Sequence, residues 1–219
     1  MYNWFKSHRA FVVFALLLSL SFTPPASDFE GSITYDITYL ELPEEVQGME
    51  SMLPQTVSMH FKGNKTAVNQ QVMGGTQRVI VDNTDSSSFI LMDMLGQKIC
   101  IVIDKAEMRE AAKEVKRPRI SYLNETKTIA GYKCKKAVMV QDTTTTIMYY
   151  TKKLNITKHK DFGFIDGFPL EYETYNGEMK LRMTASSIDK KTVDPGLFEI
   201  PDDYTRMTMD DLNTMMGGK

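Results

Sequence analysis

The residues best suited to acid–base chemistry are two glutamates in the second half of the chain. Glu171 and Glu173 are two residues apart in Leu170–Tyr175, a segment with strand character, so both carboxylates are expected on one face. A solvated strand face explains the same spacing equally well. His60 and His159 lie far apart in the sequence, and no G-x-S-x-G, H-E-x-x-H or P-loop motif is present. We therefore expect a protein that is not an enzyme.

Methionine is unusually frequent, with 16 in the chain, and several occur as close pairs. Met92 with Met94, and Met207 with Met209, place two thioethers two residues apart, a spacing that suits Cu(I). Methionine also lines apolar surfaces that accept more than one shape, and it fills gaps in ordinary cores. Three interpretations follow: a pocket for an acyl chain, a filled core and, as the lesser alternative, soft-metal handling. The sequence assigns no metal site and no cofactor.

The N-terminus has the pattern of an export signal. A basic start that ends at Arg9 precedes an apolar run over residues 10–22 and a small-residue break at Ala26. The run is shorter than the roughly 20 residues that span a bilayer, and no second candidate follows. We expect a signal peptide over residues 1–26, one domain over residues 27–219 and no transmembrane segment after cleavage. An uncleaved anchor helix is the alternative.

The charge balance argues against nucleic acid as a partner. Removal of residues 1–26 takes away Lys6 and Arg9, which leaves a net charge of 24 − 28 = −4. Binding to phosphate backbones needs clustered basic residues. The one basic cluster, residues 116–119, is short and is interpreted as a solvated turn.

Two cysteines, Cys100 and Cys134, lie in the part of the chain that is expected to meet an oxidising compartment. An even number of cysteines there favours a disulfide between them. Two unpaired thiols are the alternative. No C-x-x-C motif is present, so the pair would act as a structural bridge and not as a redox centre.

Alternation of apolar and polar residues with a period of two dominates the sequence and predicts an antiparallel sheet, rolled or sandwiched. Asn176-Gly177, between two alternating runs, predicts a tight hairpin. The expected strands are Ser32–Leu40, Val57–Lys62, Thr66–Met73, Gln77–Val81, Ser88–Met94, Lys98–Ile103, Tyr132–Val140, Thr144–Tyr150, Leu170–Tyr175 and Met179–Ala185. Short helices are expected at Pro43–Leu53, Asp104–Val115 and Thr208–Met216, the last with Thr208 as its cap and Asp211 three residues on.

The order of several motifs resembles a known bacterial family. These motifs are Phe29-Glu-Gly-Ser-Ile-Thr-Tyr35, Lys127-Thr-Ile-Ala-Gly-Tyr-Lys-Cys134, Gly167-Phe-Pro-Leu-Glu-Tyr172 and Leu197-Phe-Glu-Ile-Pro-Asp-Asp-Tyr204. Together they resemble domain of unknown function family 4412, which is common among Bacteroidetes and is placed with the LolA/LolB-like lipoprotein carriers. The resemblance spans residues 29–204 and leaves residues 205–219 as a short amphipathic segment. It implies a mainly β (α+β) fold, a curved antiparallel sheet or half-barrel with a helical lid, in the periplasm of a Gram-negative cell.

The leading hypothesis is a non-enzymatic periplasmic protein that binds a hydrophobic ligand, a lipid or a lipoprotein acyl chain, in the concave sheet. Burial of each CH₂ would contribute about 0.8 kcal/mol. The alternative is an envelope structural or interaction module with a filled core and no ligand, whose protein partner the sequence does not identify. The residues expected to line the groove are Ile33, Tyr35, Ile37, Met59, Phe61, Met179, Leu181 and Met183.

Overall fold

The computed structural model describes residues 29–85, 87–103, 105, 117–141, 144–156, 165–176 and 178–215. The expected signal peptide lies outside these residues, as do Gly177 of the hairpin turn and all of the expected helix Asp104–Val115 except Lys105. None of the described helices is long and apolar enough to cross a lipid bilayer.

In the described part of the chain, twelve strands form one sheet in the order β12-β6-β5-β4-β3-β2-β1-β11-β10-β9-β8-β7. Strand β12 runs parallel to β6, and the other described pairings are antiparallel. The strands are β1 (Gly31–Glu41), β2 (Thr56–Lys62), β3 (Lys65–Val72), β4 (Gly75–Asp82), β5 (Ser87–Met94), β6 (Gln97–Ile103), β7 (Arg119–Ile129), β8 (Tyr132–Gln141), β9 (Thr144–Thr151), β10 (Phe168–Asn176), β11 (Met179–Asp189) and β12 (Thr205–Met207). The prediction of a mainly β fold, a curved antiparallel sheet with a few short helices, is confirmed.

Strand β7 is the main element that the period-two pattern does not reveal. It lies at one end of the sheet, and most of its residues are exposed, so it carries no alternating apolar face. Its pairing with β8 is interrupted by a register shift between Tyr122 and Thr126. Such irregularities are frequent at sheet edges, where they redirect side chains.

The expected helix over Pro43–Leu53 is wrong as an α-helix. The segment forms two 3₁₀-helices, Glu44–Val46 and Glu50–Met52, and Gly48 between them has a φ of 81°. A residue in the left-handed region ends a right-handed helix, which explains the break. A third 3₁₀-helix spans Pro195–Phe198.

The C-terminal helix, Met209–Met215, begins as the sequence predicts. The hydroxyl of Thr208 accepts a hydrogen bond from the Asp211 backbone N–H at 3.1 Å, and the Asp211 carboxylate accepts one from the Thr208 N–H at 2.9 Å. This reciprocal arrangement is a capping box. The helix directs Leu212, which is 4% exposed, into the main core.

Apolar residues lie on both faces of the sheet, and among the described residues they form a main core, a second core and a smaller cluster of Ala137, Met148, Tyr150 and Ile165. The main core is the buried cluster that includes Ile33, Phe61, Ile90, Ile129, Leu181 and Leu212. The second core, on the other face, consists of Ala67, Ile80, Leu91, Val193 and Phe198. Strands buried on both faces need cover on both, and this explains their continuous apolar runs.

The C-terminal segment supplies much of that cover by passing around one edge of the sheet. Val193 and Phe198 cover the second core, β12 then pairs with the outer edge of β6, and Leu212 returns to the main core. This segment begins at Val193, whose N–H donates a hydrogen bond to the Glu30 carboxylate at 2.9 Å; the same carboxylate accepts a hydrogen bond from Lys62 at 3.0 Å. The segment therefore also protects an edge that would otherwise be open to pairing with other chains.

The expected disulfide is wrong, because Cys100 and Cys134 are both free and buried. Eight strands separate β6 from β8 in the sheet order. Cys100 is opposite Leu91 of the second core, whereas Cys134 packs into the main core. The two thiols therefore have different neighbours in distant strands, and no S–S bond joins them.

We expect both thiols to be unreactive in the native protein and fully reactive after unfolding. Burial raises the pKa of both groups, to about 11 for Cys134, so little thiolate is available at neutral pH. In the absence of a reductant, Ellman's reagent should detect two thiols per chain in the denatured protein and nearly none in the native protein. Fewer than two in denaturant would contradict the separation of the cysteines.

Candidate functional site

The eight residues predicted to line a groove are brought together, and all of them belong to the main core. None is more than 9% exposed. Tyr35 illustrates the packing, because its ring meets that of Tyr172 edge to face at 6.0 Å and its hydroxyl donates to the Pro169 carbonyl oxygen at 2.7 Å. The sequence therefore identified a contiguous apolar cluster that protein atoms fill in this structure. Binding of an acyl chain among these residues stays a prediction.

The methionine pairs lie on strands that are not neighbours. Met92 and Met94 are in β5, and Met207 is in β12, with β6 between the two strands. Met92 is buried, and Met207 and Met209 pack against the main core. Cu(I) binding by these thioethers stays a prediction.

A polar cleft of about 250 Å³ opens on the sheet across β7 to β11. The residues that line this polar cleft are Lys127, Lys136, Ile147, Tyr149, Glu171, Glu173 and Arg182. Two glutamates that the sequence placed on one strand face thus lie in a concave site with residues from four other strands.

Cross-strand register assembles the polar cleft. Glu171 is opposite Tyr149 of β9 and Thr184 of β11, and Tyr149 is in turn opposite Lys136 of β8. Opposed residues of antiparallel strands point to the same face, so this row of side chains is contiguous. A register shift between Pro169 and Glu171 determines which residue of β10 faces Tyr149.

The Glu171 carboxylate is the most buried charge in the polar cleft, at 8% exposure. Its Oε2 accepts hydrogen bonds from the Lys127 Nζ at 2.6 Å and from the Thr184 hydroxyl at 3.1 Å. A carboxylate taken out of water needs such partners, because an uncompensated buried charge is strongly unfavourable.

Glu173 forms the second acidic part of the floor. Its Oε1 accepts a hydrogen bond from Arg182 at 2.7 Å, and the Lys180 ammonium lies 3.4 Å from its Oε2. The hydrogen bond from Arg182 is the main reason that the pKa of Glu173 is lowered. Glu173 is therefore ionised at neutral pH and serves as a hydrogen-bond acceptor.

Tyr149 forms a wall of the polar cleft. The Lys127 and Lys136 ammonium groups lie 5.5 and 5.9 Å from the centroid of its ring, within the range of cation–π interactions. Its hydroxyl donates to Glu125, a carboxylate that Lys136 also contacts at 2.8 Å. The hydrogen bond to Glu125 is the main cause of the raised pKa of Tyr149, so the phenol stays protonated.

Exposure differs between the two kinds of charge. The Lys127 and Arg182 side chains are 48% and 42% exposed and that of Lys136 is 20% exposed, whereas those of Glu171 and Glu173 are 10% and 13% exposed. The polar cleft therefore has an acidic floor and a basic rim, which suits the binding of a polar ligand. Among the described residues, no group of His, Cys, Asp and Glu is arranged to hold a metal ion.

Sequence reasoning found the two glutamates and missed the residues around them. Lys127 lies in the unpredicted strand β7, and Lys136 and Tyr149 come near Glu171 only through register between strands. The Asn176-Gly177 signal does not supply the register: as the central pair of a two-residue turn it would place Glu173 opposite Lys180, whereas the structure places Asn176 opposite Met179 and Glu173 opposite Arg182.

Comparisons with known proteins give one family. A family model described as N-glycanase peptide, N-terminal domain, matches residues 34–213. Structures of PNGF-II in the C2 and P21 space groups are 16% and 17% identical to the chain, both with a TM-score of 0.53, and the match covers 86% of this chain and 33% of the PNGF-II chain. A comparison with curated proteins gives no match. Membership of family 4412 is not confirmed.

Two further solved structures align with most of the chain at lower scores. MucB has a TM-score of 0.35 and 8% identity, with coverage of 85% of this chain and 62% of its own. LprF from Mycobacterium bovis has a TM-score of 0.34 and 11% identity, with coverage of 90% of this chain and 98% of its own.

Replacement of Arg182 by Gln should raise the pKa of Glu173 towards its ordinary value of 4.5, because the main stabilising hydrogen bond is lost. A lowered folded-state pKa contributes stability that is present above the unfolded-state pKa and is lost as pH falls through the folded-state pKa. Arg182→Gln should therefore destabilise the protein at pH 7 and do so less at pH 3. Urea unfolding at both pH values and ¹³C NMR titration of Glu173 measure the two effects.

The control for this titration is Lys98→Gln, which removes an ion pair with Asp203 at 2.6 Å on a distant strand. It should leave the titration of Glu173 unchanged. An unaltered Glu173 titration in Arg182→Gln would contradict the assignment of the hydrogen bond.

Proposed function

Since the chain belongs to the N-glycanase peptide N-terminal domain family, we propose that it is a non-catalytic module that holds a glycosylated peptide or protein at the polar cleft. The observation that carries the proposal is the polar cleft itself, where five strands fix hydrogen-bond donors and acceptors around an aromatic wall. Pre-organised polar groups of this kind fix the orientation of a ligand at little further cost. The class of ligand, a glycosylated peptide or protein, is taken from the description of the family.

A binding role suits the two acidic residues better than a catalytic one. A general acid needs a raised pKa, but that of Glu173 is lowered by Arg182. Glu171 is held by Lys127 and Thr184. The chain covers 33% of the PNGF-II chain, so the activity of a whole N-glycanase is not assigned to it.

The proposed setting is the one that the sequence suggests. A signal peptide over residues 1–26 would export the domain to the periplasm. There it could bind peptides and proteins that enter from outside the cell. The −4 net charge of residues 27–219 and the mixed charges of the polar cleft are compatible with a polar, non-nucleic ligand.

A second candidate function is the binding of a hydrophobic ligand, as expected of a carrier related to LolA and LolB. It is favoured by the contiguity of the eight predicted groove residues and by the way Met207, Met209 and Leu212 of the C-terminal segment pack on the same core. Displacement of this segment would give an acyl chain access to the main core. The first candidate uses the polar cleft and the second uses the apolar main core. Binding of a glycan and binding of a fatty acid therefore distinguish the two.

We expect the purified protein to bind ribonuclease B, which carries an N-linked glycan, more tightly than ribonuclease A, the same polypeptide without it. Biolayer interferometry with either ribonuclease immobilised measures the difference. Because the polypeptide is identical, any preference comes from the glycan. Equal binding to both, or binding to neither, would overturn the proposed function.

The second candidate function, binding of a hydrophobic ligand, is tested by titration with a fluorescent fatty acid. A fluorescent fatty acid should gain intensity on binding if the main core accepts an acyl chain, and Leu181→Ala, which removes side-chain volume from that core, should change its affinity. Leu95→Ala, at a site that is 89% exposed, is the control. Absence of any intensity change would rule out this second candidate.

A further inference from the structure

We propose that the polar cleft binds a neutral saccharide of one or two rings, with hydroxyl groups bridging its carboxylate floor and basic rim and with the carbon face of a ring against Tyr149 and Ile147. This inference rests on the proposed function, because it names the ligand class and the contact residues of the same site.

The first argument is charge. Each charged group that lines the polar cleft already has a partner: Lys127 pairs with Glu171, Arg182 with Glu173, and Lys136 with Glu125 beside the cleft. An anionic ligand would approach the Glu171 and Glu173 carboxylates, and a cationic ligand would compete with Lys127 and Arg182. A neutral ligand leaves both ion pairs in place and avoids the cost of an unpaired buried charge.

The second argument is the unused hydrogen-bonding capacity of the floor and rim. Both hydrogen bonds to Glu171 use Oε2, so its Oε1 accepts none from the described residues. Lys127 has three donors and Arg182 five, and one of each serves a glutamate of the floor. A hydroxyl group both donates and accepts, so vicinal hydroxyls match an acceptor next to spare donors.

The third argument is the apolar part of the wall. Ile147 and Tyr149 are two residues apart in β9 and share a face. Ile147 is 38% exposed, so its apolar side chain is accessible to a ligand in the polar cleft. A sugar ring combines a C–H face with a polar edge, and it can cover this surface while its hydroxyls meet the charged groups.

The size of the polar cleft limits how many sugar rings can lie inside it. At about 250 Å³ it lies just below the roughly 300–1,000 Å³ typical of small-molecule sites. One or two rings fit such a volume, and the rest of a longer glycan would extend into solvent.

Isothermal titration calorimetry of the purified protein with N,N′-diacetylchitobiose and with α-1,2-mannobiose tests the ligand class. We expect at least one neutral disaccharide to bind, with affinity at least about tenfold above that of glucosamine, a cation, and of glucuronate, an anion. Equal or tighter binding of a charged sugar would overturn the inference.

Two variants test the residues. Tyr149→Ala removes the wall, and Glu171→Gln replaces the floor carboxylate by a weaker acceptor; each should lower the affinity for the neutral disaccharide about tenfold or more. The matched controls are Tyr175→Ala, an aromatic residue 44% exposed with Lys180 at 5.9 Å, and Lys98→Gln, from a distant ion pair. Both controls should bind within about twofold of the unchanged protein.

Thermal unfolding separates loss of binding from loss of folding. If Glu171→Gln is unfolded, Tyr149→Ala provides the test of the polar cleft, because Tyr149 is only partly buried. Full affinity in Tyr149→Ala, with ribonuclease B still preferred over ribonuclease A, would overturn the polar cleft as the site and leave only glycan binding, at another surface of the protein, standing. Loss of ribonuclease preference together with no disaccharide binding would remove both.

Discussion

The hydrogen bond from the Tyr35 hydroxyl to the Pro169 carbonyl oxygen, at 2.7 Å, links the centre of the sheet to the register shift on which the polar cleft depends. Tyr35 is fully buried, and burial together with the neighbouring Tyr172 raises its pKa, so its hydroxyl remains a donor at any pH at which the protein is studied. The carbonyl that it satisfies lies where β10 changes register against β9. A buried carbonyl without a partner would be costly there. The bond therefore stabilises the irregular backbone that places Glu171 opposite Tyr149, and through that row it positions Lys136 and Thr184 as well.

A sheet of twelve strands with apolar residues on both faces sets a second constraint. The C-terminal segment meets it by covering the second core with Phe198, pairing β12 with β6 and returning Leu212 to the main core. Because both cores are packed, the sheet over β1 to β6 acts as a rigid support. The side chains of the polar cleft stand on five neighbouring strands at the other end of the sheet order, where rigid backbone holds charged groups at fixed distances.

Much of the architecture follows from sequence patterns that depend on nearby residues. Alternation located the starts of β1 and β11 within one residue and their ends within four, and the pair Thr208 and Asp211 identified the start of the C-terminal helix. Features that depend on distant residues did not follow. The predicted disulfide was wrong because strand order decides which cysteines meet, and the predicted helix over Pro43–Leu53 was wrong because Gly48 adopts a left-handed conformation. The two glutamates were found because they are two residues apart in one strand. The lysines and the tyrosine around them were not found, because exposed β7 has no apolar period and because a register shift is a property of paired strands.

The measurement that tests the central claim most directly is a ¹H–¹⁵N NMR titration of the protein with a neutral disaccharide, because it locates the ligand without prior choice of site. The account predicts chemical-shift changes that concentrate at the backbone amides of Lys127, Lys136, Tyr149, Glu171 and Arg182. Changes concentrated at Met207–Leu212 and the main-core strands β1 and β2, or no changes at saturating disaccharide, would contradict it.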